Sequence, residues 1–280
     1  MNKAVNFIYK VIKFFKNYLF KDPVFVLKYF IAYFQKGYAG DAKFYNNSEF
    51  VEQIKLGKSF IRIGDGEVGL MHHRDISYQK CDKLLITKLT EIIENYSDDS
   101  NYVLSMPIFV NMTNKELENT NGKLSCWLPL KVEYFRRFNR SMHYFDAHTF
   151  YKKNFFEENI YEYLKNKKLI INTAQRNIDE QKENIEKHFE VLEWIPSQEP
   201  NPFDLYLETT RQLDSILLNY ERGEINRGEI FNKNDIVFIL GSGPMSKVLA
   251  YDFSKKGVQC IDIGKGFEQL YNDKNYEDEI

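Results

Sequence analysis

The sequence predicts an α/β protein with a Rossmann-like, mostly parallel sheet and helices on both faces. From residue 46 onward, short apolar runs rich in β-branched and aromatic residues alternate with longer stretches of helical periodicity. Turns rich in acids and glycine follow two of these apolar runs. The alternation is typical of parallel strands joined by crossover helices, and such sheets bind ligands at the carboxyl ends of their strands.

Each element follows from its local pattern. The strands are predicted at residues 59–63, 102–109, 142–146, 168–172, 191–195, 235–240 and 258–263. The helices between them are predicted at residues 80–95, 155–166, 203–221 and 245–256. With 280 residues, 43% of them hydrophobic, the chain can bury one large core. We therefore expect one main domain, residues 41–280, preceded by a helical extension, residues 1–40.

The extension is basic and aromatic, unlike the rest of the chain. It contains a single acid, Asp22, against seven lysines, Lys3, Lys10, Lys13, Lys16, Lys21, Lys28 and Lys36. Apolar residues recur at helical spacing up to residue 19, and Pro23 separates this amphipathic pattern from a second predicted helix, residues 24–35. Residues 1–36 could lie on an anionic membrane surface, or they could pack on the domain or on a second subunit. Lysines interrupt every apolar run, so no membrane span of about 20 residues can be drawn.

Net charge and cysteine content limit the kinds of partner and the cell compartment that we expect. The formal net charge is −2, which gives no overall attraction to polyanions, so we expect no nucleic-acid partner. Cys81, Cys126 and Cys260 are far apart, fit no metal-ligand spacing and leave an odd thiol. We interpret them as small apolar residues of a protein in a reducing cytosol. We therefore expect a cytoplasmic protein, and any membrane contact by the extension would be peripheral, at the inner face.

The most distinctive motif is an apolar run that ends in two acids, residues 60–67 (FIRIGDGE). If the chain stays extended there, the side chains of Asp65 and Glu67 at i and i+2 point to the same side, and two carboxylates could hold one divalent cation. Gly64 and Gly66 would let a bulky anion approach the backbone. Arg62 would add positive charge nearby.

A glycine-rich turn, residues 241–246 (GSGPMS), follows the strand predicted at residues 235–240 and leads into a helix. A turn of this kind offers unpaired N–H groups and the positive end of a helix dipole to a phosphate. Asp262 lies 262 − 241 = 21 positions after Gly241, where dinucleotide-binding folds place a ribose-binding acid. The match is partial, because Ser246 replaces the third glycine of that fingerprint and Pro244 lacks a donor. A structural tight turn is the alternative.

Further polar residues follow other predicted strands. Arg176 could bind a phosphate bidentately, or it could form a surface ion pair. Asp146 and His148 form a pair at another strand end, with a capping acid and a surface imidazole as the alternative. His72 and His73 follow the acidic motif and could be ligands of a metal or a substrate. The sequence contains no Gly-x-Ser-x-Gly, His-Glu-x-x-His or complete P-loop motif, so hydrolase and ATPase functions lack support.

Taken together, four segments resemble the GT-D-fold glycosyltransferases, which are bacterial enzymes that move a sugar from a nucleotide sugar. The segments are residues 60–67, Tyr78 with Gln79, residues 243–252 (GPMSKVLAYD) and residues 261–264 (IDIG). The resemblance spans roughly residues 50–268 and implies an Asp-x-Glu metal motif at Asp65 and Glu67. Lys265 stands where the family usually has a histidine.

The motifs and the resemblance predict a metal-dependent glycosyltransferase. It would take a nucleotide sugar, UDP-linked, and attach the sugar to a hydroxyl of a bacterial glycan or glycoconjugate. Asp65 and Glu67 would hold Mn²⁺ or Mg²⁺ against the diphosphate, because a divalent cation stabilises the charge that develops on the leaving group. The other residues predicted to bind the donor are Arg62, Gly64, Gly66, Arg176, Gly241, Gly243, Ser246 and Asp262.

Three acids are candidates for the general base of an inverting transfer, namely Glu268, Asp146 and Asp262. Two other functions stay open at this point. One is a Rossmann enzyme that binds a dinucleotide or S-adenosylmethionine through the turn at residues 241–246. The other is a membrane-attached assembly factor in which the site is degenerate.

Overall fold

The computed structural model of the chain describes residues 22–119, 124–149, 153–223 and 232–264. Within these ranges the chain forms one eight-stranded sheet in which all neighbouring strands are parallel. The strands are β1 (Lys43–Phe44), β2 (Ser59–Arg62), β3 (Tyr102–Met106), β4 (His143–Asp146), β5 (Lys168–Ala174), β6 (Glu190–Ser197), β7 (Ile236–Gly241) and β8 (Gln259–Asp262). Their order is β1-β4-β3-β2-β8-β7-β5-β6. The predicted parallel α/β fold is confirmed.

The helices are α1 (Pro23–Phe34), α2 (Asn47–Lys55), α3 (Asp65–Met71), α4 (Lys83–Glu94), α5 (Asn114–Asn119), α6 (Leu124–Arg137), α7 (Lys153–Asn159), α8 (Tyr161–Lys165), α9 (Gln175–Glu186), α10 (Tyr206–Glu221) and α11 (Pro244–Lys255). Short 3₁₀ helices occupy Ile108–Asn111, Pro202–Leu205 and Lys233–Asp235. All seven predicted strands are present with small shifts in their bounds. The strand predicted at residues 102–109 ends at Met106, because Pro107 and a 3₁₀ helix follow it.

Alternate residues of each strand point to opposite faces of the sheet, and each face carries its own apolar core. In β2, Ile61 packs with side chains of α4, α10 and α11, whereas Phe60 packs with side chains of α2, α7 and α9. In β7, Phe238 and Val237 divide between the same two cores. Burial of each such side chain stabilises the fold by about 1.5–3 kcal/mol. The expectation of helices on both faces is therefore confirmed.

The cysteines are free thiols, and all three lie in the described part of the chain. Cys260 is fully buried in β8, and burial raises the pKa of its thiol well above the usual range. Cys81 and Cys126 are half-buried. Cys260 belongs to an apolar core and Cys81 packs against it, as the sequence indicated for these two.

Helix α1 lies at the edge of the domain, packed against α6. Asp22 caps its first turn by accepting a hydrogen bond from the N–H of Phe25 at 2.9 Å, and Pro23 suits the first helical position. Phe25 and Val26 are buried, and they share a small core with side chains of α6. Residues 1–21 lie outside the described residues, so the amphipathic helix expected there stays a prediction. No helix among the described residues is long and apolar enough to cross a membrane.

The strand register brings three turns of the chain together at the carboxyl ends of the strands. Phe60 of β2 lies opposite Ile261 of β8, and Asp262 of β8 lies opposite Leu240 of β7. The carboxyl ends of β2, β8 and β7 therefore meet side by side. The acidic motif, residues 261–264 and the glycine-rich turn follow these three ends.

Candidate functional site

The acidic motif forms the start of a helix rather than an extended segment. Gly64 is the residue before α3, and Asp65 and Glu67 lie in its first turn. Glu67 Oε2 accepts a hydrogen bond from the N–H of Gly64 at 2.9 Å, which satisfies one of the free donors of the helix start. Residues two apart on a helix point in nearly opposite directions. The expected side-by-side geometry of the two carboxylates is therefore wrong, because the chain turns helical directly after β2.

Four charged side chains lie buried beneath this turn, and we call them the buried charge cluster: Arg62, Glu67, Lys247 and Asp262. The Nζ atom of Lys247, on α11, lies 3.1 Å from Asp262 Oδ2 and 3.7 Å from Glu67 Oε1. Arg62 donates its backbone N–H to Asp262 Oδ2 at 3.2 Å, and its Nη2 lies 3.5 Å from Oδ1. Asp262 is fully enclosed, with 0% of its surface exposed.

The buried charge cluster contains two acids and two bases, so its formal charges cancel. Buried charges persist only when they are paired and hydrogen-bonded, which explains why the four side chains occur together. Lys247 and Arg62 contact both oxygens of Asp262, so in this structure its carboxylate supports these two cations. Its contact with a nucleotide stays a prediction.

Lys247 is the residue that the sequence analysis missed. It falls inside the quoted segment GPMSKVLAYD, but no role was assigned to it. The available signal was a cation in the first turn of a helix whose nearby residues Met245, Val248 and Leu249 are all apolar and fully buried. A lysine in such a position needs a buried acid as its partner.

Asp65 differs from the buried charge cluster because it is half-buried. Its carboxylate has no hydrogen bond or ion pair with any other described residue. Among the described residues, no group of three or more His, Cys, Asp and Glu side chains could hold a metal ion. Mg²⁺ and similar ions are commonly held by one or two carboxylates together with substrate phosphates. Asp65 offers one such carboxylate, whereas Glu67 contacts Lys247 and lies on another side of the helix.

The glycine-rich turn between β7 and α11 has a fixed shape. Gly243 has φ of +56°, a left-handed value that favours glycine. Ser246 Oγ accepts a hydrogen bond from the N–H of Ser242 at 2.6 Å. Ser242 in turn donates from its hydroxyl to Asn172 Oδ1 of β5 at 2.5 Å. A Cβ atom at Gly241 would lie 2.8 Å from Thr173 Oγ1, so this glycine is needed for close approach to β5.

Tyr78 lies between the acidic motif and the glycine-rich turn. A Cβ atom at Gly66 would lie 3.4 Å from the Tyr78 hydroxyl, and one at Gly243 would lie 3.2 Å from its ring. The side chain is 42% exposed. The carbonyl of Tyr78 accepts a hydrogen bond from the N–H of Asn201 at 2.9 Å, which ties its loop to residues 200–203. One aromatic ring thus contacts both motifs and still faces solvent.

The remaining predicted site residues lie apart from this cluster. Arg176 is mostly exposed, and its Nη2 lies 3.3 Å from Glu199 Oε1, which is the surface ion pair foreseen as the alternative. Asp146 ends β4, two strands away from β2, and its Oδ1 accepts hydrogen bonds from the N–H groups of Ile108 and His148 at 3.2 Å each. Glu268 lies outside the described residues. The roles of these three residues stay predictions.

His72 belongs to a structural network instead of the site. It ends α3, stacks on Phe25 with 3.6 Å between ring centroids, and places Nε2 at 3.2 Å from Glu133 Oε1. Burial alone would raise the pKa of Glu133, but His72 and the charges of Arg136 and Arg137 outweigh it and hold that pKa below its ordinary value. This network joins α1 and α6 to the helix that carries the acidic motif.

Comparison with known proteins supports the fold. Residues 60–195 match the family model described as glycosyltransferase GT-D fold. A selenomethionine-substituted structure of domain of unknown function 1792 is 20% identical, with a TM-score of 0.62, over 88% of this chain and 83% of the other. None of the curated proteins matches the chain.

Two further solved structures share the fold. One, described as the highly conserved domain of unknown function 1792 with a distinct glycosyltransferase fold, has a TM-score of 0.63 and 19% identity over 88% of this chain and 84% of that one. A glycosyltransferase (DUF1792) from Streptococcus sanguinis has a TM-score of 0.63 and 18% identity over 82% of this chain and 84% of that one.

Proposed function

We propose that this chain is a glycosyltransferase of the GT-D fold. It moves a sugar from a UDP-linked nucleotide sugar to a hydroxyl of a bacterial glycan or glycoconjugate. The observation that carries the proposal is the position of Lys247. From the helix that follows the glycine-rich turn, its ammonium contacts Glu67 of the acidic motif and Asp262 at the end of β8. Two motifs far apart in sequence therefore form one site at the carboxyl ends of the strands, where such sheets bind ligands.

Charge supports a metal at this site. The buried charge cluster is formally neutral, so it offers little net attraction to the diphosphate of a nucleotide sugar. Asp65, which has no partner among the described residues, would hold Mn²⁺ or Mg²⁺ together with the phosphates of the donor. Glu67, the second predicted ligand, contacts Lys247 in this structure, so its part in holding the metal stays a prediction. The bound cation supplies positive charge that stabilises the diphosphate as it leaves the sugar.

The chain's own residues would position the donor. Helix α11 begins at Pro244, directly after the glycine-rich turn at the end of β7, and the start of a helix offers backbone N–H groups to a phosphate. Arg62 and Lys247 hold the carboxylates of Asp262 and Glu67 in place, so that the first turn of α3 keeps one geometry. Tyr78, exposed between the two motifs, would pack against the nucleotide or the sugar.

The proton of the acceptor hydroxyl needs a base if the transfer inverts. Asp262 is poorly suited, since it is fully buried and both of its oxygens contact cations. Asp146 and Glu268 are the acids that we retain as candidates for this role.

A panel of UDP-, GDP- and dTDP-sugars, offered with and without Mn²⁺, tests the proposal by following release of the nucleoside diphosphate. We expect turnover of a UDP-sugar that needs the metal and is lost in Asp65→Asn. Asp235→Asn is the matched control, because Asp235 is an exposed acid that directly precedes β7 and so lies at the amino ends of the strands, away from the site. It should retain full turnover.

Two outcomes would contradict the proposal. Metal-independent binding of NAD or S-adenosylmethionine would assign the glycine-rich turn to another class of enzyme. Failure to bind any nucleotide would favour an assembly factor.

A further inference from the structure

Helix α1 carries an apolar stripe on its outer face. The stripe consists of Val24, Leu27, Ile31 and Phe34, which are 55%, 62%, 53% and 68% exposed. Their spacing of three and four residues places them along one side of the helix. We call this set the α1 stripe. Its side chains are a large share of the exposed large hydrophobic residues in the described part of the chain.

The stripe is held outward by the packing of the opposite side of α1. Phe25 and Ala32 are buried against α6 and its neighbours. Asn114 of α5 donates hydrogen bonds from Nδ2 to the carbonyls of Ala32 and Gln35 at 2.8 and 2.9 Å. Because α1 is fixed to the domain, the stripe cannot turn inward. A surface helix that is apolar on both sides indicates a partner for the outer side.

The charges around the stripe identify the partner. Asp22 is the single acid of residues 1–40, and it points inward, since its Oδ2 lies 2.9 Å from Arg136 Nη2. Lys28 and Lys36, beside the stripe, are exposed. The sequence that precedes α1 adds the lysines Lys3, Lys10, Lys13, Lys16 and Lys21. Within residues 22–40, the exposed charged side chains are therefore the two lysines Lys28 and Lys36. Glu116 and Glu118 of α5 are exposed acids in the helix that adjoins the end of α1.

We propose that the α1 stripe lies on an anionic lipid surface, with its apolar side chains in the headgroup region and its lysines at the phosphates. An apolar face bordered by lysines is the pattern of helices that lie in a membrane interface. Anionic lipids attract each lysine near the surface, whereas a second copy of this chain would bring like charges together. The helix has 12 residues, about 18 Å, so it lies on the bilayer and does not cross it. This proposal is independent of the proposed function.

Vesicle flotation of the full chain tests the proposal. Vesicles of phosphatidylcholine with phosphatidylglycerol should carry the protein to the top of the gradient, whereas vesicles of phosphatidylcholine alone should not. High salt should weaken the binding, because salt screens the attraction of the lysines. The double variant Leu27→Ser with Ile31→Ser should bind at least about tenfold more weakly, since two large apolar side chains are lost from the interface.

A matched control is available on α10, where Leu207 and Leu218 are 60% and 42% exposed. Their double substitution by serine should leave flotation unchanged. A charge variant, Lys28→Glu with Lys36→Glu, should also bind about tenfold or more weakly. All variants alter exposed side chains, and circular dichroism with thermal melting checks that each one folds.

Three results would overturn the proposal. The first is a wild-type chain that stays at the bottom of the gradient with anionic vesicles. The second is equal flotation of the stripe variant and the α10 control. The third is a light-scattering mass of two chains that falls to one in the stripe variant, which would assign the stripe to a second copy of the chain.

Discussion

Arg62 lies so close to Gly264 that a Cβ atom at residue 264 would be 1.7 Å from Arg62 Nη2. Gly264 also has φ of +46°, a backbone conformation that residues with a side chain rarely adopt. Arg62 in turn contacts Asp262 through its backbone and its guanidinium. The glycine two residues after Asp262 is therefore part of the structure that positions the buried charge cluster.

Substitution of this glycine should displace Arg62. We expect Gly264→Ala to weaken Mn²⁺-dependent UDP binding by about tenfold or more, because a charge-assisted interaction in the site is lost. Gly257→Ala is the control, since Gly257 has φ of +75° but no atom within 4 Å of the added Cβ. Gly257→Ala should lose about 1–2 kcal/mol of stability through backbone strain, and its UDP binding should be unchanged. Equal binding by the two variants, measured by calorimetry, would refute the role of Arg62.

Lys247 should be among the most costly lysines to remove. Lys247→Met would leave Asp262 and Glu67 without their shared cation in a buried position, and we expect a loss of about 3–5 kcal/mol in the free energy of unfolding. Lys88 offers a matched comparison, because its Nζ lies 2.9 Å from Asp252 Oδ1 but both side chains are partly exposed. Lys88→Met should cost about 1 kcal/mol or less. Urea denaturation measures both, and similar losses would argue against the buried charge cluster.

The stability of the fold should depend on pH through Glu133. Its pKa lies below the ordinary 4.5 in the folded chain, so the unfolded chain binds its proton first as the pH falls. The stabilisation is fully present above pH 4.5 and is lost as the pH falls through the folded pKa. We expect Glu133→Gln to lower the melting temperature at neutral pH, with the gap to wild type shrinking below pH 4.5.

The control for this experiment is Glu94→Gln. Glu94 also contacts Arg137, with 2.6 Å between Oε1 and Nη1, but its side chain is 48% exposed. Its substitution should have a small effect at every pH. A gap between Glu133→Gln and wild type that stays constant with pH would contradict the account of the network.

Much of the fold follows from sequence because strands of a parallel sheet are buried on both faces. The runs that became β2, β5 and β7 are nearly continuous in apolar and β-branched residues, which is the pattern of such strands. Helix α9 could not be found in this way, since only Ile178, Gln181 and Ile185 of its 12 residues are buried. Strand β1 has two residues, too few for any periodicity.

The site was predictable in its motifs but not in its contacts. Residues 60–67 and the turn at residues 241–246 were found because glycine and acids after an apolar run are a local signal. Their connection through Lys247 depends on the order of strands in the sheet, which places β2 beside β8 and β8 beside β7. The helical start at Asp65 also escaped prediction, because a Gly-Asp-Gly segment has little intrinsic tendency to form a helix.

Titration calorimetry of UDP with and without Mn²⁺ tests most directly the claim that the acidic motif and the glycine-rich turn form one donor site. We predict that wild type and Asp235→Asn bind UDP tightly only with the metal. Asp65→Asn should fold normally, since Asp65 has no partner among the described residues, and should lose the metal-dependent part of the binding. UDP binding that is unaffected by Mn²⁺ and by Asp65→Asn would contradict the account.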